Sequence, residues 1–290
     1  MKIDLHVHST CSDGNLSVEE IIKEAKSRNI NLLSITDHDT IDCQNQAKCL
    51  SQKNQIHYIY GIELNITFSC ANFNQGNSSS LDILGYQFDI NNKELQKNLE
   101  KNSKHRQERA AKILENLNTE FKKEGLKNLT KKDLTEIQKS ANVVLGRPHI
   151  ADYMIRKGIV TDRKEAFEKY LIKCNIPKYP LYLEEASKLL RNAGGIVILA
   201  HPNDPYGTSL AKLTKSLQEQ TKIIKEYMLP YIDGIECWHS RNTTQTTEHY
   251  TLFSKKHGLI MTGGTDCHQK PIIMGTVKVP AFVAKQFIKK

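Results

Sequence analysis

Short apolar runs rich in β-branched residues recur seven times along this chain, each set off from the next by an amphipathic or polar stretch: Ile3 to His8, Asn31 to Thr36, Tyr58 to Ile66, Leu81 to Phe88, Gly195 to Ala200, Ile232 to Trp238 and Leu259 to Thr262. That is the pattern of strands alternating with helices, so it predicts an α/β protein built on a parallel sheet or barrel. At 290 residues the chain has room for about two domains, or for one α/β barrel carrying an insertion. The first helix announces itself with a capping box, Ser17-Val18-Glu19-Glu20, in which hydroxyl and carboxylate each satisfy a free backbone N–H. Apolar residues at 18, 21, 22 and 25 then give it one face to bury. Another helix runs from about Leu183 and stops at Gly194-Gly195, where glycine can take the left-handed conformation that closes a helix.

Between the fourth and fifth runs the alternation breaks. From about residue 91 to 175 the text is helical and Lys-rich, punctuated by Gly125, Gly146 and Gly158, which predicts a small helical domain inserted into a loop of the barrel. The expected division is 1–95 plus 176–290 for the discontinuous barrel and 96–175 for the insert. Of the net charge of +9, the insert holds +8, with 19 Lys and Arg against 11 Asp and Glu. Solvated helix faces or an electrostatic footprint for a phosphorylated ligand both fit that concentration. Asn72 to Ser80 is a low-complexity patch that reads as a mobile loop.

A composition of 39% hydrophobic and 25% charged residues excludes collagen-like, low-complexity and wholly disordered chains. Nowhere are there eighteen consecutive apolar residues, and the charged start Met1-Lys2-Ile3-Asp4 lacks a signal-peptide core, so a cytoplasmic protein is expected, with no membrane association and no obligate protein partner. Seven dispersed cysteines without a C-x-x-C pair read as free thiols.

The chemistry gathers at the ends of the apolar runs. His6 and His8, two apart on the first, point to one side of a strand. Asp13 follows in the loop that leaves it, where a barrel carries its active site. The second run ends in Thr36-Asp37-His38-Asp39, in which Asp39 is expected to cap the next helix. Glu63 lies in the third, His201 ends the fifth, Glu236 and His239 the sixth, and Asp266 and His268 the seventh. Side chains of these types are rarely buried without partners, so their repeated placement asks for a common ligand. Imidazoles and carboxylates without thiolates suit Mn²⁺, Zn²⁺ or Fe²⁺, in a multinuclear hydrolytic centre.

Asp4-Leu5-His6-Val7-His8-Ser9, Ile35-Thr36-Asp37-His38-Asp39-Thr40, Leu199-Ala200-His201-Pro202 and Gly264-Thr265-Asp266-Cys267-His268 resemble the four motifs of the PHP (polymerase and histidinol phosphatase) family of metal-dependent phosphoesterases. Gly146-Arg147-Pro148-His149, Pro177-Lys178-Tyr179 and Asp233-Gly234-Ile235-Glu236 are similar to the branch that contains 3′,5′-nucleoside bisphosphate phosphatases and RNA 5′-end exonucleases. The resemblance implies a distorted seven-stranded (β/α)7 barrel around a trinuclear centre. In it His6, His8, Glu63 and Asp266 would hold one ion, Asp13, His38 and His268 a second, and Glu63 and His201 a third, with Glu63 bridging. Where relatives read His-Ile-Leu-Gly, this chain reads Asp82-Ile83-Leu84-Gly85, so an expected imidazole ligand of the third ion becomes a carboxylate. That change favours harder ions. Two or three divalent ions are expected, manganese first, with zinc, iron and magnesium as alternatives.

Cations must then hold the rest of the substrate. His105, Arg106 and Arg109 lie on the insert's first helix, and with Arg147, His149 and Lys178 they could bracket a second phosphate; for His105 and Arg109, taken singly, a surface charge or structural ion pair is the favoured reading. Asp37 and His239 stand as candidate catalytic groups, His239 as general acid or phosphate contact. The expected reaction removes the 3′-phosphate from nucleoside 3′,5′-bisphosphates and leaves the 5′-monophosphate. Alternatives are a 5′-to-3′ exonuclease on short RNA or DNA, and a PHP domain whose metal site has decayed into a binding or regulatory module.

Overall fold

The computed structural model describes residues 1–70, 73, 76–140 and 145–288. Its strands form two sheets. The first holds β1 (Lys2–Asp4), β2 (Ile30–Leu33) and β3 (His57–Tyr58), all parallel. The second holds β4 (Gly61–Phe68), β5 (Ser79–Tyr86), β6 (Ile196–Leu199), β7 (Gly234–His239) and β8 (Ile260–Gly264), in that order. Two backbone seams join them. Past β1, Leu5 N donates to Gly263 O, Asp266 N to His6 O and His8 N to Cys267 O; past β2, Asp39 N donates to Glu63 O and Glu63 N to Asp37 O.

Two expectations need correction. The apolar run from Tyr58 to Ile66 is two strands rather than one, because the chain leaves the β2 ladder after Tyr58 and joins β5 from Gly61. Nor is the sheet all parallel: β5 runs antiparallel to both β4 and β6. An antiparallel neighbour needs no crossover helix, and only ten residues, 69–78, separate β4 from β5 in the sequence. Ser79 and Ser80, expected in the loop from Asn72 to Ser80, open β5; residues 72, 74 and 75 lie outside the described residues.

Helices α1 (Val18–Ser27) and α2 (Gln44–Lys53) cover the first sheet, and α1 carries the capping box read from Ser17 and Glu20. Helix α3 (Lys93–Lys123) is 31 residues long and leads into α4 (Lys131–Ser140), α5 (Arg147–Arg156) and α6 (Arg163–Ala166), which continues as a wider turn to Leu171. These helices have a core of their own, with Ile113, Leu117, Phe121, Ile150, Met154, Tyr170 and Leu171 buried together. The strands pack on different cores, the largest including Ile62, Ile83, Val197 and Ile235. Then follow α7 (Leu183–Asn192), closed at Gly194 with φ 77°, α8 (Leu217–Ile223) and α9 (Thr244–His257). Among the described residues no helix is long and apolar enough to cross a membrane.

Candidate metal centre

The ligand-type residues named from the sequence converge where the two seams meet. His6 and His8 are fully buried, and their Nε2 atoms face each other at 3.1 Å. Glu63 Oε2 stands 3.4 Å from His6 Nε2 and 3.2 Å from His8 Nε2; Asp266 Oδ1 stands 3.3 and 3.2 Å from the same atoms. Two imidazole nitrogens and two carboxylate oxygens so spaced are set like donors around one point about 2 Å from each, the bond length of a transition-metal ion. A second group joins His8, Asp13, His38 and His268, with His268 Nε2 3.3 Å from Asp13 Oδ1. A third joins His38, Glu63 and Asp82, and His201 Nε2 lies 2.9 Å from Glu63 Oε1. Glu63 thus belongs to two groups, His8 faces Asp13 as well as Glu63, and His38 reaches both outer groups, more sharing than the three sets implied by the resemblance.

Buried polar atoms without hydrogen-bond partners identify what this donor set lacks. They include Glu63 Oε2, Asp266 Oδ1, His8 Nδ1 and His201 Nδ1. A buried carboxylate oxygen left unpaired is costly, and a divalent cation is the ligand that would satisfy several at once. The charges agree. Burial opposes protonation of His8, yet the negative charge of the facing Asp266 and Glu63 carboxylates holds its imidazole up at about 10. His201 is pushed up to about 9 against the same burial, by Glu63, Asp266 and Asp82. Conversely, burial opposes charge on Asp13, Glu63 and Asp266, but neighbouring histidines (His268 and His38, His38 and His6, and His268 and His6 respectively) hold all three well below the usual carboxylate range. Protons on histidine are standing where cations fit, so the residues present suit divalent metal.

The backbone here is held in unusual conformations. Asp266 has φ 54° and His201 φ 23°, values that persist only where surroundings over-determine them. Asp4 is one such surrounding: fully buried, it accepts from Thr265 N (2.9 Å), Thr265 Oγ1 (2.7 Å) and Gly275 N (2.8 Å), pinning the turn that aims Asp266. Glu236 is another. Its oxygens lie 3.1 and 3.2 Å from His6 Nδ1, and it accepts from His201 N at 2.9 Å, so it fixes the ring orientation of one histidine and the backbone of another. Sequence reasoning gave Asp4 no role and Glu236 none beyond that of a strand-end ligand type, although an acidic residue between Ile3 and Leu5 in an apolar run was a legible signal.

Other candidates fall elsewhere. Asp37 does not reach the cluster: fully buried, it accepts from Ser9 N (2.7 Å), Ser9 Oγ (2.5 Å), Ser12 Oγ (2.5 Å) and Cys43 Sγ (3.0 Å), and so anchors the loop that carries Asp13. With its acceptor sites filled it has no reach toward a substrate. Asp39 does not cap a helix, since α2 starts after Cys43; its carboxylate pairs with Arg106. His239 Nδ1 accepts from Arg241 N (3.3 Å), and its Nε2 lies 3.5 Å from Asp266 Oδ2, at the edge of the cluster.

Both Asp82 oxygens have donors, Asn65 Nδ2 at 2.6 Å and Thr208 Oγ1, and burial beside Glu63 raises its carboxyl above the usual value.

Arg106, Arg109, Arg147, His149 and Lys178 all line one pocket of about 180 Å³, together with Asp13 and His38 of the cluster. Several also hold the structure. Arg109 is buried and donates to Ile176 O (2.6 Å) and Asn175 Oδ1 (2.7 Å), Arg147 donates to Leu171 O (3.2 Å), and His149 Nδ1 accepts from Gly146 N at the start of α5. His105 sits outside this pocket, near Pro177 O at 3.3 Å. Burial pushes the Lys178 amine down to about 8.

A cluster of imidazoles and carboxylates with unpaired buried oxygens, set beside a basic pocket, defines a metal-dependent hydrolase of phosphoric esters. The chain belongs to the PHP domain family, whose model matches residues 4–259. It is similar to a 5′-3′ exoribonuclease of Haemophilus influenzae, 26% identical over 277 residues that cover 92% of this chain and 90% of the relative. A 3′,5′-nucleoside bisphosphate phosphatase of Chromobacterium violaceum is also 26% identical, over 274 residues covering 92% and 87%. A solved structure from Bifidobacterium adolescentis superposes with a TM-score of 0.79 at 24% identity, over 98% of this chain and 94% of that one.

Proposed function

We propose that this protein hydrolyses the bond between phosphorus and the 3′-oxygen of a nucleotide that carries a 5′-phosphate, with nucleoside 3′,5′-bisphosphates as substrate and the 5′-monophosphate as product. The observation that carries this reading is the pocket of about 180 Å³ lined by three arginines, His149 and Lys178 against Asp13 and His38 of the cluster. Pockets for whole small-molecule ligands measure roughly 300–1,000 Å³, so one of this size suits a single phosphate group. Arginine offers that group paired N–H donors, and Lys178 adds a cation.

The cluster would hold two or three divalent ions, with manganese the first choice. His6, His8, Glu63 and Asp266 would take one; Asp13, His38 and His268, a second; and Glu63 and His201, with Asp82 if its hydrogen bonds give way, a third. When bound, the ions supply Lewis-acid activation of water and neutralise charge on the phosphoryl group. The chain does the rest: the basic pocket fixes the non-reacting phosphate, Glu236 and Asp4 hold the ligands in place, and His239, beside Asp266 at the edge of the cluster, would supply the proton to the departing 3′-oxygen. We further take the strands as a distorted seven-stranded barrel, counting β3 and β4 as one run, and residues 96–175 as its inserted basic domain.

A second reading, 5′-to-3′ exonuclease, breaks the same bond in a strand. A groove of about 930 Å³ that runs from the cluster supports it, since a bisphosphate alone would leave much of that space empty. The test is turnover by Mn²⁺-loaded protein of adenosine 3′,5′-bisphosphate, 5′-phosphorylated oligonucleotides and histidinol phosphate, with Arg147→Ala beside the unmodified chain. Loss at Arg147 should be far larger on the bisphosphate than on an aryl phosphate, which offers the pocket nothing. Equal losses would make Arg147 structural.

A further inference from the structure

Tyr206 is 81% exposed, the most exposed large apolar side chain among the described residues. It stands in the groove that also contains Glu63, Asp266 and His268. Its backbone is tied down. Asp204, only 1% exposed, accepts from Tyr206 N at 2.9 Å with one oxygen and from Arg241 Nη1 at 2.6 Å with the other. The Arg241 guanidinium lies 5.6 Å from the centre of the Tyr206 ring, so one carboxylate fixes both the ring's backbone and the cation against it. At Gly207 a Cβ would come within 2.5 Å of Asp204 Oδ2, so a larger residue there would displace the carboxylate that pairs with Arg241. The loop is tied to the cluster at both ends, through Asp204 N to His201 O (3.0 Å) and through Thr208 Oγ1 to Asp82.

A preset aromatic ring, backed by a guanidinium and left open to solvent in a groove with Lys270, is built like the stacking surfaces that hold unpaired bases. The phosphate pocket and the groove share Asp13, His38 and Lys178, whereas Tyr206, Arg241 and Lys270 belong to the groove alone. With the 5′-phosphate in the pocket and the scissile phosphate at the cluster, the groove is the space left for whatever else that phosphate is esterified to.

We propose that Tyr206, held by Asp204 and Arg241, stacks on the base that follows the scissile phosphate, so that the groove takes single-stranded nucleic acid of at least two nucleotides. This rests on reading the cluster as the phosphoesterase centre. In the reaction water adds to phosphorus, the bond to the 3′-oxygen breaks, and that oxygen leaves with a proton on the first nucleotide. The phosphate stays on the 5′-oxygen of the second, which is thereby ready for the same pocket. A bisphosphate has no second base, so Tyr206 is a specificity residue for strands.

Two measurements test this with the full chain, unmodified and as Tyr206→Ala and Tyr206→Phe. One is binding of a 5′-phosphorylated tetranucleotide, labelled at its 3′ end, to chelator-treated protein by fluorescence anisotropy. The other is the ratio of kcat/KM for that oligonucleotide to kcat/KM for adenosine 3′,5′-bisphosphate with Mn²⁺. Tyr206→Ala should weaken binding and lower the ratio by about tenfold, the scale of one lost base stack; Tyr206→Phe should restore both, and an abasic second nucleotide should erase the difference. An unchanged ratio and affinity in Tyr206→Ala would overturn the proposal. Bisphosphate hydrolysis without oligonucleotide binding would overturn it and leave the phosphatase standing; Tyr206-dependent binding without hydrolysis of either substrate would support it while removing the proposed activity.

Discussion

Glu236→Gln isolates the contribution of a residue that touches no substrate. The carboxylate is fully buried, with its oxygens 3.1 and 3.2 Å from His6 Nδ1, and it receives His201 N at 2.9 Å. Burial alone would favour its neutral form, but His6 and His239 hold its carboxyl below the usual range, so the group is charged at neutral pH. Glutamine keeps the shape and removes the charge. It leaves one amide oxygen for two donors and turns an NH2 toward one of them, so that buried donor loses its acceptor, a loss of roughly 1.5–3 kcal/mol for a charge-assisted bond. Altering the hydrogen-bond partner of a metal-ligating histidine lowers metal affinity by about 10- to 100-fold, or roughly 1.4–2.8 kcal/mol, which agrees with that figure. Competition with a coloured chelator, titrating Mn²⁺ and Zn²⁺ into metal-free protein, should show the tightest ion weakened by that factor, with the metal-free variant still folded by circular dichroism. Wild-type affinity in a folded Glu236→Gln protein would refute the argument and reduce Glu236 to packing.

Lys178, pushed down to about 8 by burial, loses its charge as pH rises through that value in the free enzyme. KM for a bisphosphate should therefore climb between pH 7 and 9, and Lys178→Arg should flatten the climb because guanidinium stays charged; a flat wild-type profile would remove Lys178 from the phosphate pocket. Gly264→Ala would place a Cβ 2.4 Å from His6 N, a backbone atom that cannot swing aside. Unfolding in urea should show a loss of about 1–3 kcal/mol and, because His6 must move, weaker metal binding as well.

The placement of ligand-type residues at strand ends was legible because burying His6, His8, Glu63 or Asp266 has no cheap explanation in packing alone. Strand direction was not. The period of two along Leu81 to Phe88 is the same whichever way β5 runs, so its antiparallel pairing with β4 and β6 left no mark there. Thr36-Asp37-His38-Asp39 shows the same limit at the level of side chains. Which aspartate is buried under Ser9 and Ser12, and which one turns out to meet Arg106, depends on a φ of 52° at Asp39 and on a helix 67 residues further on. The positioning roles of Asp4 and Glu236 went unassigned because their partners are backbone and ring nitrogens contributed by distant segments, 261 and 230 residues away.

Helix α3 enters two interiors. Its first turns bury Leu95 and Leu99 beside the strands, while from Ala110 to Phe121 the same helix forms one wall of the separate helical core. At 1.5 Å per residue its 31 residues make a rod of about 46 Å. Such a rod couples the melting of its two ends. A defect in the distant core, a cavity at Leu117 for instance, frays turns that also carry Arg106 and Arg109, so the phosphate pocket loses its cations without any change near it. Heating would then release the helices that carry the basic pocket as one cooperative unit with the far end of α3, before the imidazoles and carboxylates fixed to the sheets come apart.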